Sequence, residues 1–343
     1  MGAIVCPTMH EAKANGPEPA LLESVMPESE PGESAHEAEA VTEPEAEPKL
    51  RLIIVLFQDP SGPDESRRSL ITVQCVSEIK RMLRALDLPT KDELEVDLWI
   101  DSPGGDAHAA YKLMLVLRSI AGVVRVVVPD YAKSAATLIA LGADEIVMAP
   151  DAELGPLDAQ IAYEHEGVTI SALDIARSVE HLGQTALSMV LTGGATVVQL
   201  TGISRKDTLT NMLNFVAKFM EPIVSKLDPS MIHKSNSELR VASDYAHRLL
   251  RMRNLPPADT RLLERLPEHL VENYPAHPFV ISRDEAEQLG LPIIDIDDYE
   301  YTSAAQRIYD EYDRNRLTTI SVFTSEDLAN AAKPDDDEGG EDG

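Results

Sequence analysis

Two stretches of this sequence place residue types that can do chemistry on turns that would present them. The first is Leu98-Trp99-Ile100-Asp101-Ser102-Pro103-Gly104-Gly105-Asp106, an apolar run ending on two glycines just ahead of a helical pattern. Such a turn can bare its backbone N–H groups. The second is Val126-Val127-Val128-Pro129-Asp130-Tyr131-Ala132-Lys133-Ser134-Ala135-Ala136, where an apolar run passes into a helix opened by one serine and two alanines. It sets a hydroxyl at the positive end of a helix with little bulk around it. If the two turns lie side by side at the carboxyl ends of neighbouring parallel strands, the N–H groups of Gly105 and Ala135 converge near the Ser134 oxygen. That is the geometry of an oxyanion hole and a nucleophile. Taken singly, each piece has a second reading. Ser134 alone reads as a helix N-cap, and Gly104-Gly105 alone as an ordinary strand-to-helix turn. The glycines fit neither the dinucleotide nor the phosphate-loop pattern, because no further glycine and no Gly-Lys-Ser/Thr follows at the required spacing. No cluster has metal-ligand spacing, so neither a metal nor a cofactor is expected.

Elements able to hold these turns are legible on both sides. Arg51 to Phe57, Glu95 to Ile100, Val123 to Val128 and Glu145 to Met148 are short aliphatic, turn-bounded runs and read as buried parallel strands. Between them Ile71, Val76, Ile79, Met82, Leu83 and Leu86 recur at three-to-four spacing, as do Ala110, Leu113, Met114 and Leu117, and these read as helices. Strands alternating with helices predict right-handed βαβ units and a layered α/β fold. After Met148 the pattern changes to a Pro/Gly-punctuated stretch, Ala149 to Asp158, then a hairpin around Glu164 to Gly167. Long helices follow, roughly Ser171 to Leu191, Asp207 to Lys226, Ser237 to Arg253 and Asp259 to Glu272. Ser282 with Glu285 forms a capping box, and Gly290 before Pro292 closes that helix. A helix over Tyr299 to Asn315 and a strand over Ile320 to Phe323 complete the folded part.

The ends of the chain read differently. Residues 1–49 hold eleven acidic residues against Lys13 and Lys49, and residues 334–343 hold six acidic residues and no basic one. Both are expected to be disordered, because Glu, Pro, Ala and Ser bury too little to offset the entropy of ordering. The folded domain is therefore placed at 50–333, with a motif core at 50–161 and a helical part at 171–315. A net charge of −29 spread over core and tails argues against binding nucleic acid or an anionic membrane by bulk charge. Two cysteines, Cys6 and Cys75, cannot form a disulfide framework and point to a reducing, cytoplasmic compartment. There is no apolar run long enough to span a membrane and no signal pattern. Gly2 with Cys6 only loosely fits an acylation signal, which wants Ser or Thr at the sixth position. Apolar positions on the long helices (Leu182, Leu187, Val190, Leu209, Leu213, Val216, Phe219) exceed what one small sheet can cover, and a ring or stacked homo-oligomer is expected.

The Asp-Ser-Pro-Gly-Gly turn at 101–105, Lys133 through Leu138, Gly142 through Met148, and Leu154-Gly155-Pro156-Leu157-Asp158-Ala159-Gln160 together resemble the serine dehydrogenase proteinase family. That family is related to signal peptide peptidase A and to the proteolytic subunit of Clp protease, within the Clp/crotonase superfamily. The resemblance is close over about Leu50 to Ile161, and weaker from His277 to Ile281 and through Asp284 to Leu291. It implies a Clp/crotonase-like layered sheet and a serine-type endopeptidase acting on a peptide or protein through an acyl-enzyme on Ser134, with no nicotinamide chemistry. Relatives suggest trimers or higher, and many carry a membrane anchor where this chain has its acidic segment.

The general base is not carried over with the nucleophile. In the Clp peptidase a His follows at a distance that falls near Asp158 to Gln160, where this chain has none. In signal peptide peptidase A a Lys serves, and here Lys206, Lys218, Lys226 and Lys234 stand undistinguished, each needing desolvation to work. Lys133, adjacent to Ser134, diverges from the hydroxyl and reads as exposed or ion-paired. His277, in the apolar loop Tyr274 to Phe279, is the first choice of base, with Asp158 as an orienting residue in the order Ser, Asp, His. Either residue also has a structural reading, His277 bonded to backbone and Asp158 bonding turn amides. Two other functions share the fold: a crotonase-like protein that polarises an acyl-coenzyme A thioester, with Arg118 and Arg125 the candidate phosphate contacts, and a non-catalytic scaffold.

Overall fold

The computed structural model describes residues 49–59, 70–163, 168–253, 260–300, 302–315, 318–325 and 327. Most of both acidic ends, expected to be disordered, and the turn of the expected hairpin at 164–167 lie outside the described residues. The order of elements is β1 (Leu50–Phe57), α1 (Val73–Arg84), β2 (Leu94–Asp101), α2 (Ala107–Ile120), β3 (Val123–Val128), β4 (Tyr131–Ala132), α3 (Ala135–Leu141) and β5 (Glu145–Met148). Next come β6 (Glu153–Leu154), β7 (Gln160–Tyr163), β8 (Val168–Ser171), α4 (Ala172–Ser188), a π-helical turn (Met189–Gly193), α5 (Gly194–Thr201), α6 (Arg205–Val224) and α7 (Pro229–Leu250). The chain continues through α8 (Thr260–Glu272), β9 (Ile281–Ser282), α9 (Arg283–Gln288), β10 (Ile293–Asp295), α10 (Thr302–Asn315) and β11 (Thr319–Thr324).

The main sheet runs β10-β5-β3-β2-β1-β11, with every pair parallel except β1 with β11. Its strands are the continuous aliphatic runs of the sequence, and they are apolar throughout because both faces are covered: Leu52 to Phe57 are at most 1% exposed. Parallel neighbours require crossovers, and α1, α2 and α3 supply them, which places the α2 and α3 starts at adjacent carboxyl ends. This is the layered α/β fold that the alternating strands and helices predict.

One face of the sheet carries charge at its opposite end. Odd-numbered positions alternate to the same side, and there Arg51, Glu95, Asp97, Arg125 and Glu145 form a cross-strand ladder of ion pairs. Asp97 is fully buried, and that burial holds its carboxyl above the usual range despite both arginines. Tyr299 donates to it at 2.6 Å and accepts from the Trp99 indole at 3.0 Å. This explains why the last helix starts at Thr302 and not at Tyr299: the tyrosine is drawn down onto the sheet, and a short 3-10 turn, Ile296–Asp298, precedes it.

Two further boundaries differ from the sequence reading. The third long helix begins at Pro229, eight residues before Ser237, because Asp228 caps it by accepting from the Ser230 N–H and proline is suited to the first helical position. At Ser282 the serine accepts from the Glu285 N–H, but the Glu285 carboxylate takes the Tyr274 hydroxyl at 2.7 Å and so turns away from the cap.

Candidate active site

The β2–α2 and β3–α3 turns lie side by side and are sewn together by backbone. The Ser102 N–H donates to the Tyr131 carbonyl and the Lys133 N–H to the Ser102 carbonyl, both at 3.0 Å. Side chains reinforce the first turn: the buried Ser102 hydroxyl accepts from the Gly104 N–H at 3.1 Å and donates to Gln58 Oε1 at 2.8 Å. Gly104 has φ +105°, and a Cβ there would lie 2.6 Å from the Lys133 carbonyl oxygen and 3.0 Å from both Ser134 Cβ and the Ala135 nitrogen. Only glycine lets the turns approach this closely. Gly105, φ +147°, is held by a bridge to Ile71: the Ile71 N–H donates to the Gly104 carbonyl and the Asp106 N–H to the Ile71 carbonyl, both at 2.8 Å. That pairing leaves the Gly105 N–H unused. The Ala135 N–H, at the first position of α3, is likewise without a hydrogen-bond partner among the described residues.

Ser134 occupies the N-cap position of α3, yet its side chain makes no capping bond. Its backbone, φ 50° and ψ −111°, is the one positive-φ conformation at a non-glycine among the described residues. Holding a non-glycine there costs about 1–3 kcal/mol. The capping reading therefore does not describe this serine. Its hydroxyl makes no helix-end bond, and the residue, on a strained strand-to-helix turn, lines a cavity of about 650 Å³.

The same cavity is lined by Gly105, Ala135 and His277, by apolar Leu138, Leu157 and Ile161, and by Lys234 and Glu238 from α7. A second, three-stranded sheet, β4-β6-β9, brings the distant pieces together. Its β4 leads into Ser134, β6 leads into the Gly155 to Asp158 turn, and β9 follows the His277 loop. The Lys133 side chain ties the three: Nζ pairs with Glu153 at 2.7 Å and donates to the Leu154 and Phe279 carbonyls at 3.2 and 3.3 Å. Lys133 is ion-paired, its Nζ engaged by Glu153 and two carbonyls.

His277 is half-buried, with Nδ1 2.9 Å from the Asp158 carbonyl oxygen. A carbonyl only accepts, so this bond puts the proton on Nδ1 and leaves Nε2 with the lone pair. Asp158 thus meets His277 through its backbone and not through its carboxylate, which corrects the Ser-His-Asp arrangement read from the sequence. The carboxylate of Asp158, a residue 3% exposed, instead accepts from the Leu173 N–H at 3.1 Å, fixing the start of α4. Of the four helix lysines, Lys234 alone lines the cavity, and it is exposed there. Glu238 was not anticipated. Lys234 lies on the turns added when the third long helix is extended back to Pro229, whereas Glu238 falls inside the helix already expected from Ser237. Arg118 is committed to Asp144 and the Gly142 carbonyl, and Arg125 to the charged ladder, so neither faces the cavity. Among the described residues no group of three or more His, Cys, Asp or Glu is placed to hold a metal ion.

A serine on a strained turn between a parallel strand and a helix, in a cleft it shares with backbone N–H groups of two adjacent turns, is an arrangement of the kind acyl-transfer sites use. Residues 69–276, more than half of the chain, match the ClpP-like SDH-type serine proteinases, and the chain belongs to that family. The match contains Ser134 and Lys234 and stops one residue short of His277. Two uncharacterized proteins of Methanocaldococcus jannaschii are similar to it, one 41% identical over 26% of this chain and 30% of the relative, the other 33% identical over 51% and 55%. The chain thus spans 30% and 55% of the length of these curated relatives. Among solved structures it is similar to a membrane-bound stomatin-specific protease (18% identity, 47% of this chain and 68% of that one, TM-score 0.29). It is also similar to ClpP1 of Listeria monocytogenes (16% identity, 47% and 78%, TM-score 0.25). No helix among the described residues is long and apolar enough to cross a membrane.

Proposed function

We propose that this protein is a serine endopeptidase that hydrolyses peptide bonds through an acyl-enzyme on Ser134. In this reading Ser134 Oγ attacks the scissile carbonyl carbon while its proton passes to His277 Nε2. The carbonyl oxygen becomes an oxyanion that accepts from the Gly105 and Ala135 N–H groups. Collapse of the intermediate breaks the C–N bond, the amine leaves with the proton from His277, and a water repeats the sequence to free Ser134. The observation that carries the reading is Ser134 itself: strained, without a capping bond, and set in one cavity with two unused N–H donors and a histidine whose bound nitrogen leaves Nε2 as the acceptor. Turnover of a peptide library by wild type, absent in Ser134→Ala and His277→Ala of unchanged fold, tests it. Full activity in Ser134→Ala would remove the nucleophile from the account.

Lys234 supports a second assignment of the base, because it lines the same cavity and falls inside the family match. Its exposure weighs against it, since an amine must be desolvated to act as a base near neutrality. The acyl-coenzyme A reading loses its phosphate contacts, with Arg118 and Arg125 both engaged elsewhere. The peptidase works as a homo-oligomer joined through its helical part. There α6 buries only Thr208, Val216 and Met220, and Leu187, Leu209, Leu213 and Phe219 stay 47–59% exposed. Large apolar side chains left exposed in that number on the helical part support an interface there.

A further inference from the structure

The nucleophile and the histidine are carried by separate turns, and one buried hydroxyl lies between them. Thr137, fully buried on the first turn of α3, has Oγ1 2.6 Å from the Ala132 carbonyl and 2.9 Å from the Gly155 carbonyl, and accepts from the Gly155 N–H at 3.0 Å. In the parallel β4–β6 pair the Glu153 N–H donates to the Asp130 carbonyl, so the next rung would run from the Gly155 N–H to the Ala132 carbonyl. The Thr137 hydroxyl is inserted in that rung, taking the N–H and passing its own proton on. It therefore holds the ladder open by the width of one oxygen. Ala132 stands two residues before Ser134. Gly155 stands three before Asp158, whose carbonyl holds His277 Nδ1. The width of the opened rung fixes how far the serine-bearing turn stands from the histidine-bearing one.

We propose that Thr137 is a positioning residue that sets the Ser134 to His277 spacing. This deepens the peptidase reading and rests on it. Without the hydroxyl, the Gly155 N–H and Ala132 carbonyl are left buried and unpaired, and they can recover a bond only by closing to about 2.9 Å. That closure brings the two turns together by more than an ångström relative to the bridged path. A misplacement of that size costs about 10²-fold in rate.

The test is the rate at which a fluorophosphonate labels Ser134 in the full chain, expressed per folded molecule from circular dichroism. Thr137→Val keeps the shape and removes the hydroxyl, Thr137→Ser keeps the hydroxyl and removes the methyl, and Thr137→Ala removes both. Labelling at least tenfold slower in Val and Ala, with Ser within about threefold of wild type, is expected. Thr137→Val added to His277→Ala should slow labelling no further, because the threonine acts through the histidine. Wild-type rates in Val or Ala, equal losses in Ser and Ala, or fully additive losses in the double variant would overturn the proposal. Hydroxyl-free variants that fail to fold while Thr137→Ser folds would also overturn it, assigning the hydroxyl to stability alone. Absence of labelling in wild type is a different failure, that of the nucleophile.

Discussion

Gly105→Ala separates the chemistry of the first turn from its architecture. The added Cβ would lie 2.7 Å from the Ile71 nitrogen and closer still to the Ile71 carbonyl oxygen, so the two segments must part by about 1 Å or more to reach ordinary contact. Parting them weakens the two 2.8 Å bonds between Ile71 and the Gly104 to Asp106 backbone, each worth about 1 kcal/mol net. A Cβ at positive φ adds about 1–2 kcal/mol. The sum, about 3–4 kcal/mol, is below the 5–15 kcal/mol that typically separates folded from unfolded chains, so the variant should remain folded with a Tm lower by several degrees. The Gly105 N–H, however, moves with its strand. A donor displaced by that distance from the developing oxyanion costs about 10²-fold in rate. The assay is fluorophosphonate labelling alongside peptide turnover, both normalised to the folded fraction. Labelling within threefold of wild type, together with the calculated fall in Tm, would refute the oxyanion role and leave Gly105 as a turn residue.

Four other outcomes follow from the same geometry. Ser102→Ala leaves the buried Gly104 N–H and Gln58 Oε1 without the shared hydroxyl, and differential scanning calorimetry should show a loss of about 1–3 kcal/mol. Arg253 is 6% exposed, its guanidinium has no hydrogen-bond partner among the described residues, and burial lowers its pKa to about 10, so Arg253→Met should match or exceed wild-type stability. Because the native state then holds that proton less tightly than the unfolded chain, the advantage of Arg253→Met should shrink as pH rises through about 10, which urea melts at pH 8 and 10.5 would show. Leu213→Glu with Phe219→Glu should lower the assembly mass seen by light scattering; a wild type that is monomeric at micromolar concentration would remove the interface. Limited proteolysis should clip residues 1 to about 48 and those beyond about 333 first, leaving a resistant fragment whose melting temperature matches the full chain.

The strands were legible because a parallel strand buried on both faces must be a short apolar run, and Val123–Val128 and Glu145–Met148 fall where that rule puts them. The turn that carries Ser134 was legible for a related reason, since two small residues after Ser134 and two glycines after Pro103 are what close packing of adjacent turns requires. The device that assembles the rest was not. The β4, β6 and β9 strands are two residues each, too short for any periodicity, and only their mutual pairing defines them. Asp158 was named as a partner of His277, but a sequence cannot say whether a residue will use its carboxylate or its carbonyl. The role of Thr137 had no local signal, because its bond to Gly155 spans eighteen residues through tertiary structure alone.

The central claim is that Ser134 is a nucleophile and not a cap. Its most direct test is mass spectrometry of the protein after exposure to a fluorophosphonate, followed by mapping of the adduct. A single phosphonyl group on Ser134 of wild type, absent from Ser134→Ala of equal melting temperature and slowed in His277→Ala, is the predicted result. An unmodified Ser134 under conditions that label a known serine hydrolase, or an adduct that persists in Ser134→Ala, would contradict it.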